Sequence, residues 1–106
     1  MSEMTASEIE KLRKQLMFRA WHRGTREMDF LMGTFAQRYI NDFTPDQLIK
    51  FKAMIEVSDP ELYNWRTGAE PVPADMQHDV MLLLMTHDWD YENAQQGGQQ
   101  EGAADE

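Results

Sequence analysis

The feature that most constrains this chain is a repeated helix-start signal, clearest at Thr44-Pro45-Asp46-Gln47. It offers an N-cap hydroxyl, a proline at the first helical position, an acid in the first turn and a glutamine at N3. Leu48, Phe51 and Ile55 then mark one face. Ser58-Asp59-Pro60-Glu61 repeats the signal and opens a short helix through about Arg66, stopped by Gly68. Upstream, Ser7 and Glu10 form a capping-box pattern, followed by an apolar stripe of Ile9, Leu12, Leu16 and Ala20. That helix is expected to end near His22, before Gly24. Thr25 caps the next helix, in which Met28, Leu31, Met32, Phe35 and Tyr39 share a face. Gly33 inside it weakens the helix by ~1 kcal/mol relative to Ala and permits close approach of a neighbour. A last helix is expected from about Ala74 to Thr86, with Met76, Val80, Leu83, Leu84 and His87 on one side.

No stretch alternates with period two for long enough to make a strand. The expected fold is therefore all-α: a small five-helix bundle with short loops and a disordered acidic C-terminal tail. Its parts are a flexible N-terminus over residues 1–6, one helical domain over 7–90 and a tail over 91–106. The tail is Gln, Gly, Ala and acid, which cannot bury enough surface to offset ordering entropy.

Composition narrows the function classes. There is no Cys, so disulfide and thiolate chemistry are excluded, and a reducing compartment suits the chain. Residues 1–10 carry three Glu and no Lys or Arg, unlike a secretory or mitochondrial leader, and the expected location is cytoplasmic. No apolar run approaches the ~20 residues needed to span a bilayer, so no direct membrane insertion is expected. The net charge of −9 disfavours nucleic acid, because phosphate binding needs an excess of Lys and Arg. The mildly basic surface is drawn from Lys11, Arg13, Lys14, Arg19, Arg23 and Arg26. It either faces an acidic partner or is a solvated helix face.

Chemistry is hard to place on such a chain. His22, His78 and His87 are scattered, so no zinc-type ligand set is expected. Ser2, Ser7 and Ser58 read as a terminus and two caps, and Gly97-Gly98 lies in the tail rather than in a phosphate loop. No enzymatic activity is expected of the chain alone. What stands out is the turn Arg23-Gly24-Thr25-Arg26-Glu27. Gly24 permits positive φ and a bare backbone, Arg23 carries a planar fork of donors, and Glu27 sits in the first turn of a helix. The turn is either an outward docking corner or an ordinary helix–turn–helix corner with Gly24 at the C-cap and Glu27 paired locally.

These residues, with Met28 and Asp29 following, resemble the Arg-Gly-x-x-Glu signature of the succinate dehydrogenase FAD assembly factor family. A second segment, Met54-Ile55-Glu56 and then Asp59-Pro60-Glu61-Leu62-Tyr63-Asn64-Trp65, is similar to that family's downstream motif. Arg13, Leu16, Arg19 and Trp21-His22 fit its basic first helix, and the resemblance spans about residues 9–88. Gly33-Thr34 and the tail after Trp89 depart from it.

The resemblance implies a five-helix protein that binds the flavoprotein subunit of succinate dehydrogenase or fumarate reductase. There it would promote a histidyl–FAD bond, the flavoprotein's own His attacking the 8α-methyl carbon of the flavin. The factor would act as a monomer and bind no cofactor stably. The implied partner-binding residues are Arg23, Gly24, Arg26, Glu27, Arg19, Met17 and Trp21, with a core position the equal alternative for Trp21. Leu62 and Trp65 are expected to pack the bundle. The rival reading is a helical interaction adaptor unrelated to flavin.

Overall fold

A computed structural model describes residues 4–87. Within them five α-helices follow one another: α1 (Ala6–Ala20), α2 (Arg26–Tyr39), α3 (Pro45–Ile55), α4 (Asp59–Thr67) and α5 (Asp79–Met85). Single 3₁₀ turns at Ile40–Asp42 and Ala74–Met76 complete the order, and no strand occurs among the described residues. The predicted tail, 91–106, lies outside those residues.

Three of the helix starts stand where the punctuation placed them. Thr44 Oγ1 accepts from the Gln47 amide (3.2 Å), and the Gln47 side chain accepts from the Thr44 amide (2.9 Å). Thr25 caps α2 through Met28, and Ser58 caps α4 through Glu61. The first helix begins earlier than Ser7: Thr5 is its N-cap and closes a capping box with Glu8. Both registers spell a hydroxyl three residues before a Glu, but the earlier one adds half a turn of backbone bonding. α1 ends at Ala20, with Trp21 as its C-cap, slightly before the predicted limit.

The continuous helix expected from Ala74 to Thr86 is instead two pieces. The chain leaves the 3₁₀ turn through an extended Gln77 (φ −91°, ψ 93°). His78 then serves as the N-cap of α5, its Nδ1 accepting from the Met81 amide at 3.1 Å. Gln77 uses its amide nitrogen to hold the Val72 carbonyl at 2.7 Å, which fixes the break.

The core follows the predicted stripes. Leu16, Ala20, Leu31, Met32, Phe35, Leu48, Phe51 and Leu62 are fully buried. Each large apolar side chain among them stabilises the fold by about 1.5–3 kcal/mol. Phe35 is the hub, with ring centroids 5.5 Å from Phe51, 6.2 Å from Phe43 and 5.0 Å from Tyr39. α1 packs on α2 and α3, and α5 packs on α3 and α4. Gly33 is where Trp21 meets α2: a Cβ placed there would lie 2.2 Å from the indole. Leu62 and Trp65 face the core, as expected of them.

One polar tie joins α1 to the 3₁₀ turn before α3, and another joins α3 to α5. Arg13 reaches from α1 to the carbonyls of Ile40 and Phe43, both at 3.1 Å. Asp79, at the start of α5, accepts from Gln47 (3.0 Å) and Lys50 (2.9 Å). The Gln47 hydrogen bond, then the Lys50 ammonium, pulls the Asp79 carboxyl down to about 2. Its side chain is 52% exposed, so water screens the pair and its stabilisation is small.

Candidate functional site

The α1–α2 corner divides into two faces. The inner face belongs to Arg23, whose side chain is 7% exposed. Each nitrogen of its guanidinium is engaged. Nε donates to Asp59 Oδ1 at 2.8 Å, Nη1 to the Ile55 carbonyl, and Nη2 to the Val57 carbonyl at 2.6 Å. Nη2 also lies 2.7 Å from Asp59 Oδ1. Ile55 ends α3 with a carbonyl that has no intrahelical donor, Val57 follows the C-cap Glu56, and Asp59 opens α4. Arg23 thus sits between a helix C-terminus, which favours a cation, and an acid at a helix N-terminus. The Arg23 amide adds a bond to Asp29 Oδ1 (2.5 Å), tying the turn to α2.

This corrects the expectation of an outward guanidinium. A planar fork of five donors matches two backbone carbonyls and a carboxylate better than it matches water, so it turns inward. The basic surface shrinks accordingly. Arg13 and Arg23 are drawn in, while Lys11, Lys14, Arg19 and Arg26 stay exposed.

The outer face carries Gly24, Thr25, Arg26 and Glu27, all exposed. Gly24 has φ +127°, a conformation costing an L-residue of order 1–3 kcal/mol, so the backbone here is bare by necessity. Thr25 is spent as the α2 cap. Glu27 makes no ion pair among the described residues, which removes the local-pairing alternative. Arg26 is also unpaired there, although a cation at the first helical position opposes the macrodipole. Two exposed charged side chains without an ion pair among the described residues thus flank a glycine in a conformation that other residues disfavour.

Open grooves flank this corner. One, about 460 Å³, is lined by Arg19, His22, Arg23, Ile55, Ser58, Asp59 and Pro60. The other, about 610 Å³, has Gly24, Thr25, Glu27, Asp59, Pro60 and Tyr63 around a floor of Met28. Arg19 lines the first of these grooves. Met17 is partly buried against the core, and Trp21 lies over Gly33 with its ring edge-on to Phe30 at 5.8 Å. Both are packing residues first. Phe18, which its sequence context did not single out, is 62% exposed and stacks on His22 with centroids 4.0 Å apart.

Asp59 and Tyr63, which also line the second groove, were not placed at this corner from the sequence. Asp59 had a sufficient local explanation at the start of α4, and Tyr63 lies within a helix whose other aromatic, Trp65, is core. The available signal was that both stand in the second motif segment. The structure joins the two segments, because Arg23 of the first bonds Ile55 and Asp59 of the second.

Fold and site together define a small all-α protein whose motif builds an open surface at a helix corner. Residues 14–88 match the family model described as flavinator of succinate dehydrogenase, and the chain belongs to that family. It is 40% identical over 87 residues to the FAD assembly factor SdhE of Acetobacter pasteurianus, covering 82% of this chain and 79% of that one. It is 37% identical over 81 residues to the mitochondrial succinate dehydrogenase assembly factor 2 of Dictyostelium discoideum (76% of this chain, 57% of that one). A Drosophila grimshawi protein of the same name is 37% identical over 79 residues, covering 72% of this chain and 54% of that one. The chain thus spans little more than half the length of these mitochondrial relatives. No solved structure matches it. No helix among the described residues is long and apolar enough to cross a membrane.

Proposed function

We propose that this protein is an assembly factor that binds the flavoprotein subunit of succinate dehydrogenase, or of fumarate reductase, and promotes covalent attachment of FAD to a histidine of that subunit. The observation that carries the reading is the outer face of the corner. Gly24 and Glu27 of the family signature are exposed, and Glu27 makes no ion pair among the described residues.

On this reading the chain performs no chemistry. The flavin and the client's histidine supply the electrophile and the nucleophile. The factor holds them in a reactive geometry, which can lower a barrier by up to ~7–11 kcal/mol in the best-oriented cases. Gly24 lets the client backbone come close, and Glu27 makes charge-assisted hydrogen bonds across the interface. Arg26 and Arg19 extend the contact. Arg23 contributes by fixing the corner. The factor holds no FAD of its own and works as a monomer. A Cys-free chain suits the cytoplasm.

The test is co-production of the client with wild-type chain or with Glu27→Ala, scoring in-gel fluorescence of covalent flavin. The expected result is full flavinylation with wild type and its loss with the variant, both proteins having the same circular dichroism spectrum. Equal flavinylation with the variant would remove Glu27 from the site. Gly24→Arg gives the same readout less cleanly, because a side chain at φ +127° strains the fold itself.

A further inference from the structure

The 610 Å³ groove between the start of α2 and α4 has a composition that selects its occupant. Its floor is Met28, 3% exposed, and one wall is Pro60 with Tyr63, whose side chain is 44% exposed. An aromatic face over an apolar floor suits the methylene stem and charged head of a long side chain. The charged groups lining the groove are Glu27 and Asp59. Arg23 occupies Asp59 Oδ1, while Oδ2 makes no hydrogen bond among the described residues and lies 3.8 Å from where a Cβ on Gly24 would be.

Each helix start that opens here commits one of its amides to its own cap. The Met28 amide donates to Thr25 Oγ1 at 3.2 Å and the Glu61 amide to Ser58 Oγ at 3.4 Å. Both charged side chains that line the groove are carboxylates, which favour a cation over an anion. Building on the reading of the chain as a flavoprotein-binding factor, we propose that this groove takes a lysine or arginine side chain from an extended segment of the client. The stem lies against Tyr63 and Pro60 over Met28, and the cation sits between Glu27 and the open oxygen of Asp59. Tyr63 and Pro60 then become part of the interface, and the site is selective for a basic residue.

The experiment is calorimetric titration of the full chain against the purified flavoprotein subunit at about 50 and 300 mM salt, the range over which surface charge pairs become screened. Tyr63→Ala is expected to weaken binding about tenfold, in line with loss of a cation–π contact and its buried stem. Glu27→Gln is expected to weaken binding and to flatten its salt dependence. Leu82→Ala, on the exposed face of α5, serves as the unchanged control. Unaltered melting temperatures would show that the variants are folded. If Tyr63→Ala binds within twofold of wild type, or Glu27→Gln keeps the wild-type salt slope, the groove assignment is overturned while flavoprotein binding stands. If the wild-type chain binds no flavoprotein and leaves the client's flavin non-covalent, both readings fall.

Discussion

The two faces of the α1–α2 corner use neighbouring residues of one signature in opposite ways. On the inner face, Arg23 is almost fully buried and every guanidinium nitrogen is bonded. On the outer face, Arg26 and Glu27 are exposed and carry no ion pair among the described residues. The lesson is that a shared motif mixes residues that build a site with residues that present it. The inner half closes the end of α3 and the start of α4. The outer half keeps exposed charge and bare backbone.

If that division is right, substitutions should separate by stability alone. The largest loss is expected for Arg23→Ala, which strands the partly buried Asp59 and two backbone carbonyls at once. Removing one member of a buried ion pair costs about 3–5 kcal/mol. For a domain of this size that lowers the melting temperature by more than about 10 °C in a thermal scan. A melting point within 2 °C of wild type would show that the inner face is not structural.

Gly33→Ala comes next. The added methyl meets the Trp21 indole, and overpacking of this kind costs about 1–3 kcal/mol, against ~1 kcal/mol regained in helix propensity. A changed near-ultraviolet circular dichroism signal should report the displaced indole. An unchanged signal with raised stability would mean that Trp21 gives way freely.

A smaller, pH-dependent effect is expected at the α5 cap. Burial, then the nearby Lys50, pushes the His78 imidazole below its ordinary range. The folded state thus favours the neutral ring, whose Nδ1 accepts from Met81. Its contribution is present above the ordinary histidine range and is lost as pH falls through the lowered folded value. Loss of a cap costs about 1 kcal/mol. Melting curves from pH 7 to pH 5 should therefore fall more for wild type than for His78→Asn, whose amide caps without titrating. Parallel curves would refute the cap.

The smallest change in stability is expected for Glu27→Ala, within about 0.5 kcal/mol of wild type. A large drop would place Glu27 on the inner face and dissolve the contrast.

Much of the fold was legible because its signals are local. A cap, a proline and a 3.6-residue stripe act within a dozen residues, so α2, α3 and α4 stand where Thr25, Thr44 and Ser58 place them. Local signals also misled. Ser7 and Thr5 offer competing caps to the same helix, and the apolar run before His87 gives no warning that Gln77 is extended. The corner itself could be found from its residue types, but not the direction of its charges.

By itself the sequence determined five helices, their apolar faces and the glycine turn at which the signature sits, since each depends on neighbours along the chain. Only the tertiary structure decided that Arg23 faces inward and that Asp59 is its counter-ion. Those two residues are brought together by how α3 and α4 pack beneath the corner, and no spacing within either segment encodes it.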